Sequence, residues 1–326
     1  MKKHFFLSRL PLLCLCTAAF GFTACSDDDE EQLPPDAGVI PTVTDPITAI
    51  ENAWGGSYSY VYDAEGRLVS GTDFYGTFRI SFSPLTFVLE GSYDDYTERW
   101  TDMATNADGH VTRARMTYDD GDGQTSSGDV RLTYDSSGYL SRVEAKGSED
   151  GVTYTADYTF EYAEGNLRRV VSDYSDPEYG DERYVYTFTY DADGVNPNSG
   201  IPFQDECLDM SSPFMFMGGY LGRATDNLPE ARRETYITEE DGETVEYSDD
   251  FYYEWTYDDQ GRVTASAVTD ESGNLYEAYT YHYGNAGAEV APAAASKLRP
   301  AVAGGVTKRP ATLRERMRAR LARFVR

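Results

Sequence analysis

A tyrosine recurs at a fixed interval in the middle of this chain: Tyr134, Tyr162 and Tyr190 stand 28 residues apart, and each opens a short stretch containing Asp or Glu and a Gly. The stretches are Tyr134-Asp135-Ser136-Ser137-Gly138, Tyr162-Ala163-Glu164-Gly165 and Tyr190-Asp191-Ala192-Asp193-Gly194. A period in this range marks a repeated supersecondary unit that buries its apolar face only by stacking on its neighbours.

The residues between the tyrosines say what the unit is. From Val152 to Tyr162, Val152, Tyr154, Ala156, Tyr158, Phe160 and Tyr162 fall on one face, and Thr153, Thr155, Asp157, Thr159 and Glu161 on the other. Alternation of period two, rich in aromatic and β-branched residues, is a half-buried strand. The pattern returns in Tyr184–Tyr190 and in Phe251, Tyr253, Trp255 and Tyr257. At the strand ends an Asp carboxylate accepts hydrogen bonds from backbone amides just ahead, and Gly takes the positive-φ position of a turn followed by a bulge. A second turn, such as Glu149-Asp150-Gly151, sends the chain out again, so each period is two antiparallel strands and two tight turns.

Further copies flank the block: Tyr60–Leu68 and Trp255–Val263 are nearly complete, and Asn106–Val111 is degenerate. These nine-residue stretches resemble the tyrosine–aspartate repeats of bacterial Rhs-type shell proteins. Counting alternating runs from Trp54 to Tyr283 predicts on the order of fifteen strands, with Pro84 in a turn or edge. The fold class read from this pattern is all-β: an antiparallel up-and-down meander of hairpins forming a soluble barrel or rolled sheet. Its Tyr-rich face points inward, because a lipid-facing surface cannot be Thr, Asp, Glu and Arg.

The repeat lapses between Val195 and about Pro229. This insert carries Phe214-Met215-Phe216-Met217-Gly218-Gly219-Tyr220-Leu221-Gly222, for which a short helix is predicted, starting near Ser212-Pro213 and ending at Gly218 or Gly222. Its apolar residues Phe203, Phe214, Phe216, Met217 and Leu221 are expected to cap or plug the barrel. The wording Phe-Met-Gly-Gly-Tyr-Leu-Gly-Arg, followed by Asp226-Asn227-Leu228-Pro229, resembles a family of uncharacterised Bacteroidota lipoproteins. That resemblance implies a porin-like β-fold and carries no activity with it.

Outside the repeat, the N-terminus reads as a signal peptide over residues 1–24: Lys2, Lys3 and Arg9, then the apolar run Leu10–Phe20, too short for a membrane span. Phe22-Thr23-Ala24-Cys25 resembles a bacterial lipoprotein cleavage box, with Phe22 where Leu is usual, and implies lipid attachment at Cys25. The acidic run Ser26–Glu31 resembles the surface-export signal of Bacteroidota lipoproteins; taken alone it is a solvated linker. Residues 25–53 are expected to be an acidic, Pro-rich tether, 54–285 the β-hairpin domain with its insert at 195–230, and 286–311 an Ala/Pro/Gly linker. Residues 312–326 are expected to form a basic amphipathic helix opened by the capping box Thr312-Leu313-Arg314-Glu315.

Charge is segregated along the chain. Without residues 1–24 there are 25 basic and 56 acidic residues, a formal charge of −31. After residue 285, ten Lys and Arg face only Glu289 and Glu315, so that end carries +8 and the remainder about −39. Such a field disfavours nucleic acid or an anionic membrane surface as a partner of the β body.

No residue pattern points to catalysis. Glu98, Asp102, Asp157, Glu161 and Glu254 lie in strand patterns, but glycoside hydrolysis needs two carboxyl groups at a defined separation across a sugar, and so many acids make pairs by coincidence. Asp119–Gly123 and Asp241-Gly242 lack full Ca²⁺-loop spacing and read as turns. Cys207, the one thiol besides Cys25 in the processed chain, reads as structural, since His110 and His282 are far from it in sequence. Trp54, Trp100, Trp255 and the tyrosines could stack on sugar rings or simply pack across strands. The reading is a non-catalytic lipoprotein of the outer membrane and cell surface, without metal or cofactor, binding an unspecified glycan or protein ligand or serving a structural role. A glycan- or small-ligand-binding protein with a Tyr-lined interior is the alternative, and a carboxylate-dependent hydrolase a weaker one. The basic tail is expected to dock on lipid phosphates, on a partner or on the acidic body, or to remain solvated.

Overall fold

A computed structural model describes residues 40–284, apart from 54, 73–75, 92–96, 120–124, 150–151, 177–179, 192–195, 197–213 and 241–242. Sixteen strands run in chain order: β1 (Ile47–Asn52), β2 (Ser57–Tyr62), β3 (Leu68–Thr72), β4 (Gly76–Phe82), β5 (Leu85–Gly91), β6 (Thr97–Thr105), β7 (Val111–Asp119) and β8 (Thr125–Tyr134), then β9 (Leu140–Glu149), β10 (Val152–Ala163), β11 (Asn166–Asp176), β12 (Gly180–Thr189), β13 (Ala231–Glu240), β14 (Glu243–Tyr257), β15 (Val263–Asp270) and β16 (Leu275–Tyr283). One helical turn, α1 (Phe214–Met217), lies between β12 and β13. Each strand pairs antiparallel with the next, and β1 pairs with β16, so the meander closes into a barrel without edges.

One expectation is corrected in detail. Fifteen of the sixteen strands, β2 to β16, fall between positions 54 and 283 as the count predicts, but the β-domain does not begin at residue 54. Residues 47–52, assigned to the tether, form β1; their backbone amides and carbonyls complete the ladder with β16, from Ile47 opposite Tyr283 to Asn52 opposite Tyr279. Without them both β2 and β16 would be open edges. Pro84 sits in the turn between β4 and β5, as expected.

The turns form as the residue types dictate. Asp63 Oδ1 accepts from the amides of Glu65 and Arg67, and Asp135 and Asp258 repeat this with their own i+2 and i+4 amides, as does the Asn106 side chain. Gly66, Gly138 and Gly261 follow at φ of 82°, 85° and 80°, which a side chain would oppose. The tyrosine before the turn does a second job. Tyr134 donates to the Val111 carbonyl at 2.6 Å and Tyr190 to that of Leu167 at 2.7 Å, each reaching the hairpin before its own, while Tyr283 ties β16 to the Val263 carbonyl of β15 at 2.8 Å.

The two sheet faces divide as the alternation predicts. Inward, Tyr60, Phe78, Trp100, Tyr158 and Val170 are completely buried. Outward, carboxylates meet guanidiniums across neighbouring strands: Asp157 with Arg142, Glu161 with Arg169, Asp173 with Arg183 and Asp250 with Arg233. A membrane-spanning barrel has the opposite arrangement, apolar outside and polar within.

Candidate functional site

The two ends of the barrel differ. The Asp-x-x-Gly turns that open at Asp63, Asp135 and Asp258 occupy one end with the insert; the Asp270–Gly273 turn and the strand-end residues Asp119, Asp181, Glu239 and Glu243 lie at the other.

The insert closes its end. Met215, Met217, Tyr220, Leu221 and Leu228 are all at most 3% exposed and join the barrel's core. Backbone bonds seat them: the Tyr220 carbonyl accepts from Val111 at 2.9 Å, Arg223 donates to Gly138 at 2.8 Å, and Asp226 to Gly165 at 2.9 Å. Gly222, at φ 95°, packs where a Cβ would come within 2.8 Å of the Gly138 carbonyl and the Tyr134 ring. Arg223 lies 5.0 Å over the Tyr139 ring and donates to Asp226 at 2.7 Å, while Tyr139 stacks on Tyr162 at 4.6 Å. Residues 40–46 help from the chain's other side, with Ile40 and Val43 packed on the same core and Val43 donating to Gly66 at 2.9 Å. The plug expectation therefore holds for Met217 and Leu221. Met215, Tyr220 and Leu228 belong with them; the run Phe214–Leu221 and the phrase around Asp226 were the available signal. Phe203 and the side chains of Phe214 and Phe216 lie outside the described residues.

Sixteen strands are enough for an aqueous channel when their interior is polar. Here, among the described residues, the cavity between Ile80, Leu85, Phe87, Met103, Met215 and Tyr220 is only about 10 Å³, barely the size of one water probe.

At the other end the interior becomes aromatic and acidic. Tyr158, Tyr174, Tyr184, Tyr236 and Tyr247, from five consecutive strands, form a ladder with ring centroids 5.7, 5.9, 4.9 and 6.5 Å apart. Tyr158 and Tyr174 share a hydroxyl–hydroxyl bond of 2.7 Å. Glu182 points into the same space and accepts from Tyr184 at 3.3 Å and from Tyr236 at 3.1 Å. Tyr174, Glu182 and Tyr247 are half-exposed, so this face of the ladder meets solvent. Further along β13, toward the insert, Arg232 is 3% exposed, 4.8 Å over the Phe251 ring and 3.9 Å from Glu234. Sequence reasoning missed Glu182, Arg232 and Glu234 because acids and bases at inward positions read like the abundant outward ones; their parity with Tyr184 and Tyr236 was the available clue.

The other candidates do not converge. Glu98 is buried inside and accepts from the Trp100 indole at 2.6 Å, whereas Asp157 and Glu161 are outside and paired with Arg, and Asp102 and Glu254 are exposed. No two of these five face each other across a cleft. Trp255 stacks on Tyr253 at 5.6 Å and donates to the Pro229 carbonyl at 2.8 Å, so it fastens the insert's exit. His110 packs against Tyr134 at 5.1 Å, burial lowering its pKa, while His282 lies 3.6 Å from Glu51 on the outer face. Among the described residues no group of three or more His, Cys, Asp or Glu is placed to hold a metal ion. Cys25, Cys207, Trp54, Asp120–Gly123, Asp241-Gly242 and the basic tail lie outside the described residues.

The chain is similar to solved structures from two Bacteroides species. A porin-like protein from Bacteroides vulgatus is 11% identical with a TM-score of 0.53, covering 73% of this chain and 99% of its own. A porin-like protein from Bacteroides uniformis is 19% identical with a TM-score of 0.49, covering 75% of this chain and 100% of its own. Among curated proteins none matches. A family profile matches residues 61–265, the greater part of the barrel, and the chain belongs to that family, described as a domain of unknown function (DUF4595) with porin-like fold.

Proposed function

We propose that this protein is an envelope-tethered, non-catalytic binding or structural module, held by a lipid on Cys25 and displayed at the cell surface. One observation carries the reading: the outer wall is ion-paired and polar while the interior is filled by tyrosines, phenylalanines and the insert. A barrel of this kind is a rigid scaffold, suited to presenting an end or a wall rather than conducting solutes. Residues before Ile40 supply the tether and the signal that sequence reading assigns to residues 1–24. The test is fractionation of cells carrying Cys25→Ala: the variant should leave the envelope fraction, and retention there would remove the anchor from the account.

A second reading is favoured by the half-exposed tyrosine ladder with Glu182 among its hydroxyls. Rings with adjacent hydrogen-bonding groups are the surface on which sugars and small amphipathic ligands bind. A glycan array probed with the mature protein separates the two: saturable binding that Tyr247→Ala weakens supports ligand binding at this end, and silence leaves the scaffold.

A further inference from the structure

On the outer wall four strand carboxylates, Asp157, Glu161, Asp173 and Asp250, are each paired with an arginine on a neighbouring strand. Glu182 is different. It faces inward at the end away from the insert, half-exposed, and its partners are the hydroxyls of Tyr184 and Tyr236; among the described residues no Lys, Arg or His pairs with it. Tyr174 and Tyr247 present half-exposed rings on either side. A carboxylate set among ring faces is the chemistry that holds a guanidinium or ammonium group, by charge-assisted hydrogen bonding and cation–π attraction together. The barrel already uses this arrangement, for Arg232 between the Phe251 ring and Glu234 and for Arg223 between the Tyr139 ring and Asp226. Around the mouth, Asp119, Asp181, Glu239 and Glu243 are exposed, and Arg183 is already paired with Asp173.

We propose that this mouth holds arginine side chains of the chain's own C-terminal segment, residues 312–326. That segment carries six arginines against Glu315, the strongest positive charge on a chain that is otherwise heavily acidic. Its reach is adequate. The chain leaves the barrel at Gly284, at the insert end, and residues 285–311 intervene. As a flexible Ala/Gly-rich linker these span roughly 29 Å on average and about 90 Å fully extended. A ten-residue strand such as β12 rises roughly 33 Å, or about 25 Å along the axis of a barrel with typical tilt. The far mouth therefore lies within range, at an effective concentration on the order of millimolar. This inference rests on the barrel being a binding module and makes the tail a built-in competitor for whatever the mouth binds.

The test places the photo-cross-linker p-benzoylphenylalanine at Tyr247 in the full chain and maps the products by mass spectrometry. The expected result is an intramolecular cross-link to residues 312–326, at least tenfold weaker in 0.5 M salt and in Glu182→Gln. A combined Arg316→Gln, Arg320→Gln and Arg323→Gln variant should lose it equally. Those three belong to none of the sixteen strands, so an unchanged thermal transition in that variant rules out misfolding as the cause. Cross-links to another segment or to a second copy overturn the proposal, as does a yield indifferent to both charge variants. Glycan binding at the mouth without any tail cross-link would leave the module reading standing and sink this one alone.

Discussion

Leu221→Ala asks whether the insert belongs to the barrel's cooperative core or merely rests on it. Leu221 is 3% exposed, inside a cluster with Met217 and Tyr220, and the backbone on both sides is fixed by the bonds of Tyr220 and Arg223 to the end turns. With its neighbours so held, the site has little freedom to collapse, and truncation should cost about 3 kcal/mol through lost transfer energy and the cavity left behind. A domain of this size exposes enough surface to give a urea m-value of about 3 kcal/mol/M, so the midpoint should fall by about 1 M. The thermal midpoint should drop by about 6–12 °C. Urea unfolding followed by tyrosine fluorescence and far-UV circular dichroism measures this, with the exposed Glu254→Ala as a control expected within about 0.5 kcal/mol of the parent. A midpoint shift below about 0.2 M at unchanged m would show that the insert is not part of the core, and the filled-scaffold reading would fail with it.

Two further predictions concern pH. Hydrogen bonds from the Arg233 guanidinium hold the Asp250 carboxyl below its usual range, and the Arg262 backbone amide does the same for Asp258. A carboxyl depressed in the folded state stabilises the fold above its unfolded pKa of about 3.9 and loses that contribution as pH falls through the folded value. NMR titration should place both pKa values below 3.8, with Arg233→Gln returning Asp250 toward it; an Asp250 value unmoved by that change would contradict the pairing. At the other extreme, burial raises the hydroxyl pKa of Tyr62, Tyr134, Tyr220 and Tyr281. Stability from these groups is complete below the unfolded value of about 10 and is lost as pH rises above it. Their ultraviolet ionisation should coincide with alkaline unfolding by circular dichroism, and reversible ionisation at pH 11 in the folded protein would refute the buried assignment.

The tyrosine interval, the period-two alternation and the Asp-x-x-Gly turns were sufficient to determine an all-β meander with aromatic side chains inward. Each of these is a local property: a strand's two faces and a turn's backbone angles are set within a few residues. The insert was legible for the same reason, since a run like Phe214–Leu221 in so polar a chain has to be buried somewhere. Three things depended on contacts far apart in sequence. Closure rests on β1 meeting β16, more than 220 residues away, and nothing in Ile47–Asn52 itself distinguishes a closing strand from a tether. The ladder from Tyr158 to Tyr247 needs the register of five strands at once. Which acids face inward, Glu98, Glu182 and Glu234 against Asp157 and Glu161, follows from parity once strand ends are fixed, and a bulge such as that between Thr101 and Ala104 shifts it by a residue. Local chemistry chose the strands and turns; only the closed sheet decided which side chains share the interior, because that depends on pairings no short window contains.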